Sequence, residues 1–307
     1  MGATGSVGGV EADSRPLRDI KPAEVARAEQ VLGAVASSWR PVASRIGNAR
    51  GRWLVSLERG GLVFVKAPYH VESAEWLRIE ALIYQGVDGA FLPRLLAWDG
   101  EILVLEDLSG ELWPPPWTPA SVEAVRTSLN ELARVTPPSG LPPLENLRPL
   151  FVDSGWPAIA VDPQAFLSLG LCSAEWLAGS LPTLTSAAES IELGGDSLVH
   201  VDIRSDNLCI RDGRALLIDW NWASVGNPIL DLAGWLPSLE AEGGPAPEEL
   251  LPGESGAPFA ASLAGLWCAR AGLAPPADLP RLRELQLLQA RPALAWAARV
   301  LGLPPPS

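Results

Sequence analysis

Apolar and polar positions change their period twice along the chain. From Lys21 to about Val35, the residues Val25, Ala28, Val31, Leu32 and Val35 recur at helical spacing and predict an amphipathic helix. Three short β-rich segments follow, Pro41 to Gly47, Arg52 to Glu58 and Leu62 to Ala67, the last two joined by Arg59-Gly60-Gly61, a composition suited to a hairpin turn. Helical spacing returns from about Ser73 to Gln85. Two more strands, Leu92 to Trp98 and Glu101 to Glu106, flank the turn Asp99-Gly100. Three strands, one helix and two strands describe a small antiparallel sheet with a helix packed on it.

After Glu106-Asp-Leu-Ser-Gly110 and the Pro-rich run Trp113 to Pro119, helical patterns dominate: Ser121 to Val135, Pro163 to Gly170, Ser173 to Ala178, Leu184 to Leu193, Pro258 to Ala271 and Leu279 to Leu301. One hairpin interrupts them, Asn207 to Ile210 turning at Asp212-Gly213 into Ala215 to Ile218. No internal repeat is visible. The expected fold is α+β and bilobal: a flexible tail over residues 1–20, an antiparallel-sheet lobe over 21–108 and a mainly helical lobe over 109–307.

With 48% apolar residues in 307, the chain can bury a substantial core. Its net charge of −13 opposes nucleic-acid binding, which needs Lys and Arg to neutralise phosphates. No apolar run reaches the roughly 18 residues of a membrane span, and the N-terminal segment lacks a basic region followed by an apolar one, so the expectation is a cytoplasmic protein without a membrane partner. Met1 to Ser6 fits the loose myristoylation pattern, but a match that short in a Gly/Ser-rich tail carries little weight. The three cysteines, Cys172, Cys209 and Cys268, lack metal-ligand spacing and read as free thiols. Nothing in the sequence sets the oligomeric state.

The chemistry concentrates in His200-Val-Asp202-Ile-Arg204-Ser-Asp-Asn207, followed by Asp219 at the end of an apolar strand. Phosphoryl transfer from a nucleotide needs one carboxylate to orient the acceptor hydroxyl and take its proton, with an amide oxygen and a second carboxylate to hold Mg²⁺ against the phosphates. Asp202, Asn207 and Asp219 supply those groups, and the hairpin between Asn207 and Asp219 would fold the two metal ligands together. Of only two lysines, Lys21 and Lys66, the second ends the apolar strand starting at Leu62, where a compact ammonium suits phosphates at a cleft edge. A helical wheel puts Glu80 within the apolar arc of Trp76, Ile79 and Ile83, making it the candidate partner of Lys66; Glu75, near the edge of that arc, is the other possibility.

Taken together, Lys66, Glu80, Leu105-Glu-Asp-Leu108, the His200 to Asn207 loop, Ile218-Asp-Trp220 and Asn227-Pro-Ile-Leu-Asp231 resemble the aminoglycoside phosphotransferase and choline kinase group of small-molecule kinases, over roughly residues 40 to 300. The resemblance implies a protein-kinase-like fold using ATP or GTP with Mg²⁺. It makes Asp202 the catalytic carboxylate, Asn207 and Asp219 the metal ligands, and the backbone of Glu106 to Leu108 the adenine contact. Asp231 would support the catalytic loop from below and His200 would be structural.

Two departures stand out. The phosphate-covering loop should lie in Gly47-Asn-Ala-Arg-Gly51, yet lacks a full G-x-G-x-x-G. Position 204 is Arg where protein kinases carry Lys; its guanidinium could stabilise the transferring phosphoryl group or simply pair with a nearby carboxylate.

Eleven residues, 220–230, separate Asp219 from Asp231, too few for a peptide-docking activation segment. The expected partner is therefore a small hydroxyl-bearing molecule: an aminoglycoside, choline, an amino sugar, an amino alcohol or a macrolide. Trp220, Trp222, Asp206, Glu240 and Glu242 are candidate pocket walls. The competing reading is a nucleotide-binding regulator without catalysis, suggested by the degenerate Gly loop.

Overall fold

Alternation within each strand decides which residues face the cleft. In the computed structural model, which describes residues 21–43, 50–277 and 279–306, the strands β1 (Ala36–Pro41), β2 (Arg52–Leu57), β3 (Leu62–Lys66), β4 (Leu95–Trp98) and β5 (Leu103–Glu106) form an antiparallel sheet in the order β1-β2-β3-β5-β4. Val63, Val65 and Val104 pack against Val25 and Ala28 of helix α1 (Ala23–Leu32). The alternate positions therefore present Arg52, Leu54, Phe64, Lys66 and Leu105 to the cleft. Helix α2 (Val71–Gly86) buries Leu77, Ala81 and Ile83 in the large core that also takes Leu103 and Leu105.

The first strand begins at Ala36 and not at the expected Pro41. Gly33 closes α1 in the left-handed conformation (φ 58°), and its N–H returns to the carbonyl of Gln30, so the helix stops short of the predicted Val35. The polar Ser37 and Ser38 disguise an edge strand whose register with β2 pairs Trp39 with Val55. The predicted tail 1–20, and residues 44–49 with most of the expected phosphate-covering loop, lie outside the described residues.

The rest of the described chain is mainly helical: α3 (Pro119–Leu132), α4 (Trp156–Val161), α5 (Gln164–Leu167), α6 (Ala174–Glu189), α7 (Ile229–Ala241), α8 (Pro247–Leu250), α9 (Ala257–Ala271) and α10 (Leu282–Val300). The segments read as two helices around Leu181 and Pro182 are one, since α6 continues through Pro182. Helix α7 escaped the sequence pattern because Pro237 interrupts it, yet that proline is buried in the helix. Two small ribbons flank the segment His200 to Asn207: β6 (Ser197–Val199) pairs with β9 (Ser224–Gly226), and β7 (Leu208–Arg211) with β8 (Arg214–Leu217). Helix α9 is buried on nearly every side, and Gly265 lets the Trp156 ring approach to where a Cβ would stand 2.9 Å away. No described helix is long and apolar enough to cross a membrane.

Candidate active site

The sequence brings Lys66 and Glu80 together because β3 ends where α2 crosses the sheet. Lys66 Nζ donates to Glu80 Oε2 at 2.5 Å, to Asp219 Oδ1 at 2.6 Å and to Asn221 Oδ1 at 3.3 Å. Glu80 is buried and Glu75 exposed, which settles the choice between them. Burial works to lower the Lys66 pKa, but Asp219 and Glu80 outweigh it and hold the ammonium above its ordinary range. Burial works to raise Asp219, but Lys66 and Arg52 reverse this and hold its carboxylate well below the usual range.

Arg52 is a cleft residue that the sequence reading missed. It stands directly opposite Lys66 in the β2–β3 register, and its guanidinium lies 3.5 Å from Asp219 Oδ2. Two like charges facing across a ladder are unfavourable without an anion between them. The available signal was the alternation Arg52, Leu54; exploiting it required the exact hairpin register.

The segment His200 to Asn207 leaves β6 at Val199. His200 is fully buried; its Nε2 lies 2.9 Å from the Ile218 carbonyl, so that nitrogen carries the proton, and Nδ1 accepts from the Asp202 N–H at 3.3 Å. Burial lowers its pKa, so a neutral imidazole with both nitrogens engaged is a scaffold. Asp231, in the first turn of α7, accepts from the N–H groups of His200 at 2.8 Å and Val201 at 2.7 Å. Val201 adopts φ 74°, a costly conformation for a β-branched residue, and the Asp231 bond holds it there. Burial pushes Asp231 up to about 7 against those two donors.

Asn207 Nδ2 donates at 2.9 Å both to the Asp202 carbonyl and to Asp202 Oδ2, fixing the carboxylate. Its Oδ1 accepts no bond from the described residues. The Ile218 N–H donates to the Asn207 carbonyl at 2.9 Å, so the hairpin does return Asp219 to the His200 to Asn207 segment. Arg204 donates to Asp202 through one arm and grips Asp206 with two bonds, 2.9 and 3.2 Å. The guanidinium is thus paired in this state and sits beside the Asp202 carboxylate.

At the connector, the Glu106 carboxylate accepts from Arg211 at 2.9 Å and from the Arg94 N–H at 2.8 Å. The Leu108 carbonyl is taken by the Glu111 N–H and by Trp113 Nε1, while its N–H has no hydrogen bond to the described residues; Leu108 lines the cleft. The whole cleft encloses about 690 Å³. Of the expected walls, Asp206 and Trp222 line it. Trp220 does not; it is buried 4.4 Å from the His200 ring. Glu240 turns to Arg299 at 3.6 Å, and Glu242 accepts from Ser205 at 2.7 Å and Trp117 at 3.1 Å, tying the His200 to Asn207 segment to the helices.

A five-stranded antiparallel sheet over a mainly helical region, with Lys66, Glu80, Asp202, Asn207 and Asp219 in one cleft, is the protein-kinase-like phosphotransferase fold. The sequence pattern of the phosphotransferase enzyme family matches residues 34–285, and the chain belongs to that family. Among solved structures, it is similar to an aminoglycoside phosphotransferase from Alicyclobacillus acidocaldarius, with a TM-score of 0.58 at 16% identity over 94% of this chain and 97% of the other. A putative fructosamine-3-kinase from Thermobifida fusca gives 0.51 at 20% identity, covering 89% and 98%. An aminoglycoside phosphotransferase in ternary complex with ATP and streptomycin gives 0.51 at 14%, covering 87% and 95%. Among curated proteins, no relative matches.

Proposed function

We propose that the chain transfers the γ-phosphoryl group of ATP or GTP to a hydroxyl group of a small molecule. The observation that carries this reading is the convergence of Lys66, Asp202, Asn207 and Asp219 in one cleft, each oriented by a hydrogen bond. Asp202 is the base: Asn207 aims its carboxylate, which shares one arm of the Arg204 guanidinium, whereas Asp206 is gripped by two bonds from the same guanidinium. Lys66, fixed by Glu80, holds the phosphates, and the unpaired Leu108 N–H with the adjoining Glu106 backbone receives the nucleotide base. Arg204, beside Asp202, is placed to meet charge on the transferring group.

The donor set fits Mg²⁺: Asn207 Oδ1 and the Asp219 carboxylate are hard oxygens on adjoining turns, and no cluster of three or more metal-ligating side chains exists among the described residues, so phosphate and water oxygens would complete the shell. Mg²⁺ bound there would neutralise phosphate charge. Nothing resembling a peptide-docking segment lies between Asp219 and Asp231, where the chain forms only a turn, β9 and the start of α7.

The test is ADP release from Mg·ATP across hydroxylated compounds, beside a nucleotide thermal shift. Asp202→Ala should bind nucleotide normally and lose turnover. Retained turnover in Asp202→Ala would remove the assigned base. Nucleotide binding with no turnover on any acceptor would favour a regulator.

A further inference from the structure

Beyond Asp202 the cleft enters the helical region and its walls change character. Helix α9 contributes Leu263, Leu266 and Trp267, and α10 contributes Leu282 and Leu285. Leu150 and Phe151 close the third side. No Asp or Glu occurs among the described residues lining this half.

The acidic groups of the cleft lie at the nucleotide end and in the catalytic segment, and they are engaged. Glu80 and Asp219 face Lys66, Asp202 and Asp206 face Arg204, and Glu106 faces Arg211. Asp107 is occupied by the Ser109 N–H at 3.0 Å and hydroxyl at 2.7 Å.

The polar groups of the apolar half have the opposite or no charge. Arg270 lies on the pocket wall, anchored to Ser154 Oγ at 2.7 Å and to the Leu266 carbonyl at 2.9 Å, with no carboxylate partner among the described residues. Partial burial and the nearby Arg283 lower its pKa, as expected of a cation lacking a counter-charge. Gln289, 5% exposed, donates to Ser238 Oγ at 3.0 Å, and no described residue donates to its amide oxygen. Gln286, which lines the pocket, accepts from Arg283 at 2.7 Å, and its amide N–H groups donate to no described residue. A polyamine entering here would leave its ammonium groups without anions in an apolar, cationic site, which is unfavourable.

We infer that the acceptor is an alcohol on a large apolar scaffold, neutral or anionic, whose oxygens meet Arg270 and the Gln286 and Gln289 amides, and that polyamine sugars are poor acceptors. This rests on the phosphotransferase reading above and narrows it.

Two measurements on the full chain test it. The first compares kcat/KM for ADP release with alkyl and aryl glucosides against polyamine sugars and choline. The second titrates anilinonaphthalenesulfonate, an apolar aryl anion, into the protein saturated with Mg·ADP. Saturable binding is expected, weakened about tenfold by Arg270→Gln and by Gln286→Glu, with Mg·ADP affinity unchanged in both and the thermal midpoint unchanged in Gln286→Glu. Arg270→Gln removes the cation but also shortens the side chain and gives up its bonds to Ser154 and the Leu266 carbonyl. Gln286→Glu adds an anion without changing side-chain size, so this second variant carries the test if the first is less stable.

Higher kcat/KM on polyamine sugars would overturn the inference while leaving the phosphotransferase reading intact. So would probe binding indifferent to both variants. Absence of nucleotide binding would sink the phosphotransferase reading and the inference with it. Should neither panel be phosphorylated, the probe titration decides.

Discussion

Lys66 Nζ stands 2.5 Å from Glu80 Oε2, joining the end of β3 to a helix that buries the glutamate almost completely. Burial raises Glu80 above its ordinary pKa despite the lysine, so the carboxylate depends on its pairing with Lys66, to which Arg52 adds a smaller attraction. Glu80→Ala leaves Lys66 aimed by Asp219 and Asn221 and opens a buried gap. The expected result in urea unfolding is a loss of about 3–5 kcal/mol, the range for removing one partner of a buried pair. Glu80→Gln, which keeps the shape, should cost less and raise KM for ATP more than it lowers kcat.

Arg52 and Lys66 face each other across β2 and β3 with Asp219 between them. Phosphate oxygens are a second anion that both cations can reach from the sheet. Arg52→Gln is expected to raise KM for ATP by about tenfold, the effect of one lost charge-assisted hydrogen bond. Combined with Lys66→Ala, the loss should fall short of the sum, because the two share partners. A fully additive double variant in steady-state kinetics would show that Arg52 acts elsewhere.

The site was legible where spacing alone sets geometry. The His200 to Asn207 segment is local, and its hairpin return to Asp219 needs only a turn at Asp212-Gly213, so those residues could be grouped from the chain itself. Glu80 required only a helical wheel. Arg52 was hidden because it depends on strand register: a hairpin symmetric about Gly60 would pair Arg52 with Pro68, whereas the observed pairing is with Lys66. Helix α7 was hidden by Pro237, and the fate of Trp220, Glu240 and Glu242 depends on which face of a packed element each occupies. The apolar cleft walls come from α9 and α10, far along the chain, and Arg270 gains meaning only from the carboxylates that are not beside it.

Asp231 accepts two backbone N–H groups with its two oxygens, one of them from the strained Val201. An asparagine has one accepting oxygen, so its amide group would point N–H at N–H. Asp231→Asn should therefore cost about 1–3 kcal/mol in denaturant unfolding, the penalty for a buried donor left unmade. The catalytic segment would relax as Val201 leaves its held conformation. Turnover should fall with little change in nucleotide affinity, which a calorimetric titration of Mg·ADP would check.

The three cysteines supply a pH test of the core. All are free and buried; burial pushes Cys172 up to about 11 and Cys209 up to about 12, with Cys268 raised further. The thiolate is the reacting form, so iodoacetamide at pH 8 should leave the native protein unlabelled and modify all three thiols after unfolding. The same shifts fix a sign for stability. An unfolded thiol ionises near 8.5, whereas the folded ones stay neutral, so their contribution is complete below about pH 8.5 and drains as pH rises towards the folded values. Each thiol contributes a slope of about 1.4 kcal/mol per pH unit in that window. Cys209→Ala should make the fall in unfolding free energy between about pH 9 and pH 11 shallower by that amount. An unchanged slope would mean that Cys209 ionises as readily in the folded chain as in the unfolded one.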